Sequence, residues 1–409
     1  MNKYKGTMRY CYVAYIVQAI VNNLLPLFFV IFREHFGIST VKLGSLVLIN
    51  FILQLITDVV ASKFGDRWGY RLSMLMAHGM ATVGLVLAAI LPFLFKDAFI
   101  GLIVATFFSA IGGGLIEVMV SPLMDSLQLV QKSSAMSFLH SFYCWGQVAV
   151  VLVSTLFIKF CGEAYWFVLP PIWAIVPFVN TFMFIKTPLP ETIKEEERTP
   201  LKHLFKNPTF ILMLIVMVCA GASELSMAQW ASFFAEKGLG VSKVMGDLLG
   251  PCAFALFMGI SRMIHGVYGE RLSLKWSIVF SAALGVVCYA VAGLSLNPIF
   301  ALAGCAVCGF SVGIMWPGTL SLASRNFPHG GTAMFGLLAM GGDLGCSIGP
   351  WLTGLVADFS EKSSFVLKIA EKSGQECEQI AIKLGLLVGM IFPLFMVISL
   401  IFNKKGDKQ

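Results

Sequence analysis

Gly65-Asp66-Arg67-Trp68-Gly69-Tyr70-Arg71 separates two long apolar runs, and Gly269-Glu270-Arg271-Leu272-Ser273-Leu274-Lys275 separates two more about half the chain later. Other landmarks repeat at a similar offset. Phe36-Gly37-Ile38-Ser39 after the first run matches Leu239-Gly240-Val241-Ser242 after the seventh, and Ala135-Met136 opening the fifth matches Ala333-Met334 opening the eleventh. Two halves of six helices each explain the spacing. An even number of crossings per half keeps both halves in the same orientation, which makes them parallel repeats about an axis along the membrane normal, with a substrate site near midplane where they meet.

Composition places these runs in a bilayer. Of 409 residues 57% are hydrophobic and only 12% charged, 35 are Phe, and the mean hydropathy is +0.83. A soluble domain of this length has far more polar surface. Runs of roughly 20 apolar residues suit a hydrocarbon core of about 30 Å, and the chain holds about twelve: 9–32, 42–63, 72–93, 98–122, 135–159, 164–186, 209–235, 246–268, 274–294, 297–320, 331–356 and 383–402. The expectation is an all-α membrane protein with a bundle over 1–186, a cytoplasmic linker over 187–208 that includes Lys194-Glu195-Glu196-Glu197-Arg198, and a second bundle over 209–409. The first run carries Gln18, Asn22 and Asn23 and no small-residue cleavage site, so it reads as a retained helix and not a signal peptide.

Lys and Arg set the orientation, because short basic loops stay on the cytoplasmic side. Lys3, Lys5 and Arg9, Lys63, Arg67 and Arg71, Lys132, the 186–206 cluster, Arg271, Lys275 and Arg325, and Lys404, Lys405 and Lys408 all fall on one side, which puts both termini in the cytoplasm. The net charge of +7 is then a topology signal and no nucleic-acid footprint. Most of the ten Cys lie in apolar runs without metal-ligand spacing, so no metal is expected. Cys161 and Cys377 fall in outward loops, a weak case for a disulfide.

Asp66, Arg67, Gly69 and Arg71 form a D-R-x-G-x-R core in the loop after the second helix. In this the chain resembles the major facilitator superfamily, over nearly its whole length. The resemblance implies twelve helices in two pseudo-symmetric bundles and a cytoplasmic gate. Asp66, Arg67 and Arg71, with Glu270 and Arg271 in the second copy, are the gating candidates; a basic turn that only enforces topology is the alternative. Asp58 and Arg262 each lie eight residues before the acidic member of their turn (Asp66, Glu270), so they too are candidates, pairing with each other or with Asp343 or His265.

Glu117 is a lone carboxylate in the run 98–120, and a charge at membrane depth usually faces a protein interior or a water cavity. Gly112, Gly113 and Gly114 precede it and permit close helix approach, and Pro122 follows it. This stretch looks like helix four of the fucose:proton symporter family, where the Glu belongs to the sugar site, and His140-Ser141-Phe142 resembles that family's fifth helix. That family also carries an Asp before the helix-one Pro. Registered on Pro26, its place is taken by Asn22, which cannot cycle a proton; Asn22 and Asn23 are then hydrogen-bond partners for substrate, and proton coupling passes to Glu117 and Glu224, with Asp58 and Asp343 in reserve.

Glu224 is the second buried acid, and Gln229 and Trp230 follow within two turns. Carboxylate and amide bind hydroxyls, and an indole stacks on the apolar face of a sugar ring. Trp316-Pro317 occupies the place of Ser121-Pro122 in the repeat and shapes the cavity. The substrate-site candidates are therefore Glu117, Glu224, Asn22, Asn23, Gln229, Trp230, His140 and Trp316. No G-x-x-x-x-G-K-[ST] or H-E-x-x-H element is present, so neither ATP-driven transport nor zinc-protease hydrolysis is supported. The reading is a non-enzymatic, cofactor-free secondary carrier for a small, sugar-like solute in the cytoplasmic membrane, a monomer coupled to H⁺. Na⁺ coupling, uniport, efflux of amphipathic drugs and a carrier-fold sensor stand as alternatives, the 20 Met keeping efflux in play.

Overall fold

The computed structural model describes residues 3–38, 40–127, 131–192, 201–235, 239–242, 245–246, 248–295 and 297–402. Ser39, the Lys194–Arg198 stretch of the expected linker, and the C-terminal Lys404, Lys405 and Lys408 lie outside them. Among the described residues, eleven helical stretches are long and apolar enough to cross a membrane. One of these, Ser45–Leu94, runs 50 residues. At 1.5 Å per residue that is about 75 Å, more than twice a hydrocarbon core. Gly69 divides it: its φ of 72° and ψ of 162° lie outside the helical region, in backbone space that only glycine enters readily. The turn read from the sequence is thus a true boundary, and the crossings number twelve.

In chain order they are α1 (Lys5–Phe28), α2 (45–68), α3 (70–94), α4 (Ala98–Asp125), α5 (Lys132–Cys161), α6 (Glu163–Lys186), α7 (Pro208–Ala231), α8 (Leu248–Arg271), α9 (Leu274–Leu294), α10 (Pro298–Asn326), α11 (Gly331–Glu361) and α12 (Cys377–Phe402). Polar caps mark several starts. Asp97 accepts from the Phe99 N–H ahead of α4, Asn207 from Thr209 ahead of α7, and Asn297 from Ile299 ahead of α10. In the last two cases a Pro follows the cap, at a position whose N–H has no helical partner anyway. The charged stretch after α11 holds a short helix, Ser364–Ser373, started by the Ser363 hydroxyl and ended by Gly374 at φ 68°.

The helices form two units. The first comprises Met1–Leu201 and Phe327–Met340, and the second Lys202–Asn326 and Gly341–Gln409. In the first, Ile20, Leu24, Phe28, Phe32, Leu102 and Trp166 make a closed apolar core. The Gly triplet of α4 works as its sequence suggests. A Cβ at Gly112 would lie 2.7 Å from the Ala77 carbonyl oxygen of α3, and one at Gly114 3.0 Å from the Thr57 Cβ of α2. Only hydrogen fits at this approach, which brings α4 against Thr57 and Gln54 of α2.

The second unit has a matching device. Along α11, Cβ atoms at Gly342, Gly345 and Gly349 would collide with Trp316, the Val218 carbonyl and Ala222 with Ser226 respectively. The i, i+3, i+7 spacing puts all three on one face of α11, and α7 meets that face through Val218, Ala222 and Ser226, a matching i, i+4, i+8 row.

Candidate functional site

The first unit gathers its polar side chains on facing surfaces of α1, α2, α4 and α5. Gln18 donates from Nε2 to Glu117 Oε2 at 2.7 Å, so the lone acid of α4 meets an amide of α1. One turn along α1, Asn22 Oδ1 accepts from Gln54 Nε2 at 2.6 Å and from Asn50 Nδ2 at 3.5 Å. Asn23 Nδ2 donates to its own helix at Ala19 O (2.9 Å) and to the Tyr143 hydroxyl at 3.4 Å. One turn the other way, Tyr15 OH lies 2.9 Å from Ser121 Oγ and 3.0 Å from His140 Nε2, with Ser121 and His140 3.3 Å apart. Tyr15 and Gln18 on α1 face Ser121 and Glu117 on α4, consecutive rungs one turn apart on each helix.

These contacts join Glu117, Asn22, Asn23 and His140 in one seam. Gln18, Gln54, His140 and Ser121 are buried, whereas Glu117, Asn22 and Asn23 are half-exposed. Amides and a carboxylate, next to a hydroxyl and an imidazole, are groups that hydrogen-bond hydroxyls. The sequence reading missed the second row of this seam: Gln54, Asn50, Tyr15 and Ser121. A signal was there, since Asn50, Gln54, Thr57 and Asp58 recur at helical spacing on α2 within an otherwise apolar run.

In the second unit Glu224 pairs with Arg262 of α8, Oε2 to Nη2 at 3.2 Å, and both side chains are largely buried. Arg262 also donates from Nε to the Gly313 carbonyl at 2.9 Å. That carbonyl is available for a covalent reason: the residue four positions on is Pro317, which has no N–H to offer it. The Arg therefore completes a gap that the Trp316-Pro317 step opens in α10, between its helical parts Pro298–Val312 and Met315–Asn326. Trp316 itself packs on Gly342. Trp230 donates from Nε1 to the Pro350 carbonyl at 3.1 Å and fills the space over Gly354, so its indole is tied to α11. Gln229 is exposed.

The gating candidates take varied places. Arg71 spreads its guanidinium over the last carbonyls of α6, reaching Phe184 at 2.8 Å, Ile185, and Thr187 at 3.0 Å. A cation at a helix C-terminus satisfies otherwise unpaired acceptors and the helix dipole together. Asp66 accepts at its backbone carbonyl from Thr192 at 2.8 Å, and Arg67 is exposed. Glu270 pairs with Arg325 at 3.2 Å, fastening the α8–α9 turn to the end of α10, and Arg271 is exposed. Asp58 is fully buried in the first unit and Asp343 nearly so in the second. All ten Cys are free thiols, Cys161 and Cys377 among them.

Among solved structures the chain is similar to a variant of the E. coli fucose:proton symporter FucP, at 13% identity with a TM-score of 0.72 over 96% of this chain and 99% of that one. It is similar as well to FucP in the outward conformation (13%, TM-score 0.75, 96% and 99%). The proton:xylose symporter XylE bound to 6-bromo-6-deoxy-D-glucose gives 13% identity and a TM-score of 0.74, over 97% of this chain and 96% of that chain. At such identities the likeness concerns the fold. The family model described as Major Facilitator Superfamily matches residues 11–350. With that match over most of its length and twelve crossings built around the Gly69 turn, this multi-pass membrane protein belongs to the Major Facilitator Superfamily of transporters.

Proposed function

We propose that this transporter carries a small, uncharged, hydroxyl-rich solute of the sugar class, together with a proton, across the cytoplasmic membrane. The observation that carries the reading is the seam Gln18–Glu117 and Asn22–Gln54, where amide and carboxylate edges line up one helical turn apart in a largely apolar bundle. Hydroxyls both donate and accept, so a row of alternating acceptors and donors matches them better than it matches an ion. The named solutes of the similar structures, fucose and xylose, are of that class.

In this mechanism Glu117 binds the proton from the side where solute enters. A neutral carboxyl costs less in a water-poor site than a carboxylate does, and protonation gives Glu117 a hydrogen to donate to a substrate oxygen. The Glu224–Arg262 pair of the second unit serves as the other switch. Protonation of Glu224 removes the charge that holds Nη2, weakens the hold on Arg262 at the Gly313 carbonyl, and so alters the break in α10. Asp58, Asp66, Arg67, Arg71, Arg262, Glu270, Arg271 and Asp343 bear on gating, and both termini lie in the cytoplasm. The division of labour expected along the chain is a carrier bundle over 1–186, a linker over 187–208 and a second bundle over 209–409, in a protein that works as a monomer.

Proton movement on adding solute tests the coupling. Proteoliposomes in weakly buffered medium, with no imposed gradient, are expected to alkalinise that medium when a transported sugar is added. A sugar that enters with no pH change would leave uniport in place of symport.

A further inference from the structure

Gln18 is only 5% exposed, and its amide is used at one end. Nε2 donates to Glu117 Oε2 at 2.7 Å, whereas Oε1 accepts no hydrogen bond among the described residues. That oxygen has essentially no accessible surface, so water does not reach it. A buried amide carbonyl without a donor is costly. The chemistry of its neighbour explains the gap. A carboxylate has acceptors only, so its second oxygen, brought up to Gln18 Oε1, would set two acceptors against each other with no hydrogen between them. Gln54 also has a buried Oε1 without a partner, but its Nε2 faces Asn22, an amide that gains no proton. Gln18 faces an acid.

Protonation changes the match. A carboxylic acid carries one donor and one acceptor on the same carbon, and a primary amide presents the complementary pair, so together they close a ring of two hydrogen bonds. We propose that Gln18 is the positioning residue of the proton site. A proton from the medium adds to the Glu117 oxygen that does not face Nε2. This O–H donates to Gln18 Oε1, while Nε2 goes on donating to Glu117 Oε2. Glu117 thereby holds its proton before any solute arrives, and a solute hydroxyl then takes the place of the amide. The inference rests on the proton-coupled reading given above and adds an order to it, proton first. Apart from phenols, thiols and groups at helix ends, the spans around α4 carry Asp58 on α2, His78 on α3 and His140 on α5, and the 327–340 stretch, which meets α4 at Val118, adds the exposed His329. His140 is bonded to Tyr15 and Ser121, and His78 to the Met74 carbonyl and Asn180.

Infrared difference spectra of the full chain in lipid nanodiscs, acid against alkaline and without solute, test the pairing. The parent is expected to show a carboxylic acid C=O band that Glu117→Gln lacks. A band from Asp58 would survive that substitution, and histidine gives none in this region. In Gln18→Met, which keeps an unbranched chain without the amide, the Glu117 band should move to higher frequency, as an acid does on losing the acceptor of its O–H. The parent alone gives a second reading. With the glutamine side-chain carbonyls isotopically labelled, a glutamine band should move to lower frequency on acidification, and Glu117→Gln should abolish the movement. A Glu117 band at one frequency in parent and Gln18→Met, or glutamine bands indifferent to pH, would overturn the pairing while proton binding by Glu117 stands. Parent and Glu117→Gln spectra that are alike in the acid region would overturn proton binding by Glu117, and the pairing with it.

Discussion

Among the acceptors that hold Arg262 are a carboxylate from α7 and a main-chain carbonyl left free by Pro317, which are of different kinds. Removing one partner of a buried ion pair strands the other, typically at about 3–5 kcal/mol, whereas replacing both is often nearly neutral. Glu224→Leu should therefore lower the thermal unfolding temperature markedly, and the Glu224→Leu/Arg262→Leu double variant should recover much of the loss. A double variant that is worse by the sum of the singles would argue against direct pairing. Tyr15→Phe takes a hydroxyl from both Ser121 and His140, and a cost of about 1–3 kcal/mol is expected. Both acids were legible in the sequence because a lone charge in an apolar run has few reasons to be there. Their partners were not, because Gln18 lies 99 positions from Glu117 and Arg262 38 from Glu224, and such pairings exist only once the helices pack.

At the scale of the helix, glycine decides two things, where chains turn and where helices touch. A Cβ at Gly345 would strike the Val218 carbonyl, whereas one at Gly79 of α3 meets nothing within 4 Å. Gly345→Ala should destabilise by about 1–3 kcal/mol through overpacking. Gly79→Ala should instead stabilise by about 0.4–1 kcal/mol by restricting the unfolded chain. Thermal unfolding of the two variants reads this directly; equal effects would mean that α7 and α11 do not pack at that face. The cap of α4 gives a pH test. Lys42, with the Phe99 N–H, holds the Asp97 carboxyl below its usual range. A group whose folded value is depressed adds stability above its unfolded value, about 3.9 for Asp, and loses it as pH falls through the folded value. Asp97→Asn should unfold at a lower temperature than the parent at pH 6, and that gap should close as the pH is taken below about 4. The Gly69 turn and the Gly112–Gly114 contact were legible from spacing. The gap in α10 was only half so: Pro317 signals a break, but which side chain completes it depends on α8.

For the molecule as a whole, the repeat of 65–71 in 269–275 announced two bundles of six, and the twelve crossings agree with it. Hydropathy carries that information because bilayer thickness imposes one length on every crossing. It carries nothing about which residues cluster across long separations, and Phe327–Met340 groups with the first unit although the chain reaches it only after α10. The two halves also differ chemically. Glu117 meets an amide, whereas Glu224 meets a cation, so loss of the two acids should have different consequences. With Glu224→Gln the Arg loses the charge of Glu224, and both transport and stability should fall. With Glu117→Gln the seam keeps its hydrogen-bonding shape and loses only the carboxyl to which the proton is assigned. The most direct test is uptake of a labelled sugar into proteoliposomes with an inside-alkaline pH gradient. The parent protein should accumulate solute above the external concentration until a protonophore is added, and Glu117→Gln should exchange solute across the membrane without accumulating it. Accumulation by Glu117→Gln equal to that of the parent, or no solute flux through the parent, would contradict the role assigned to the seam.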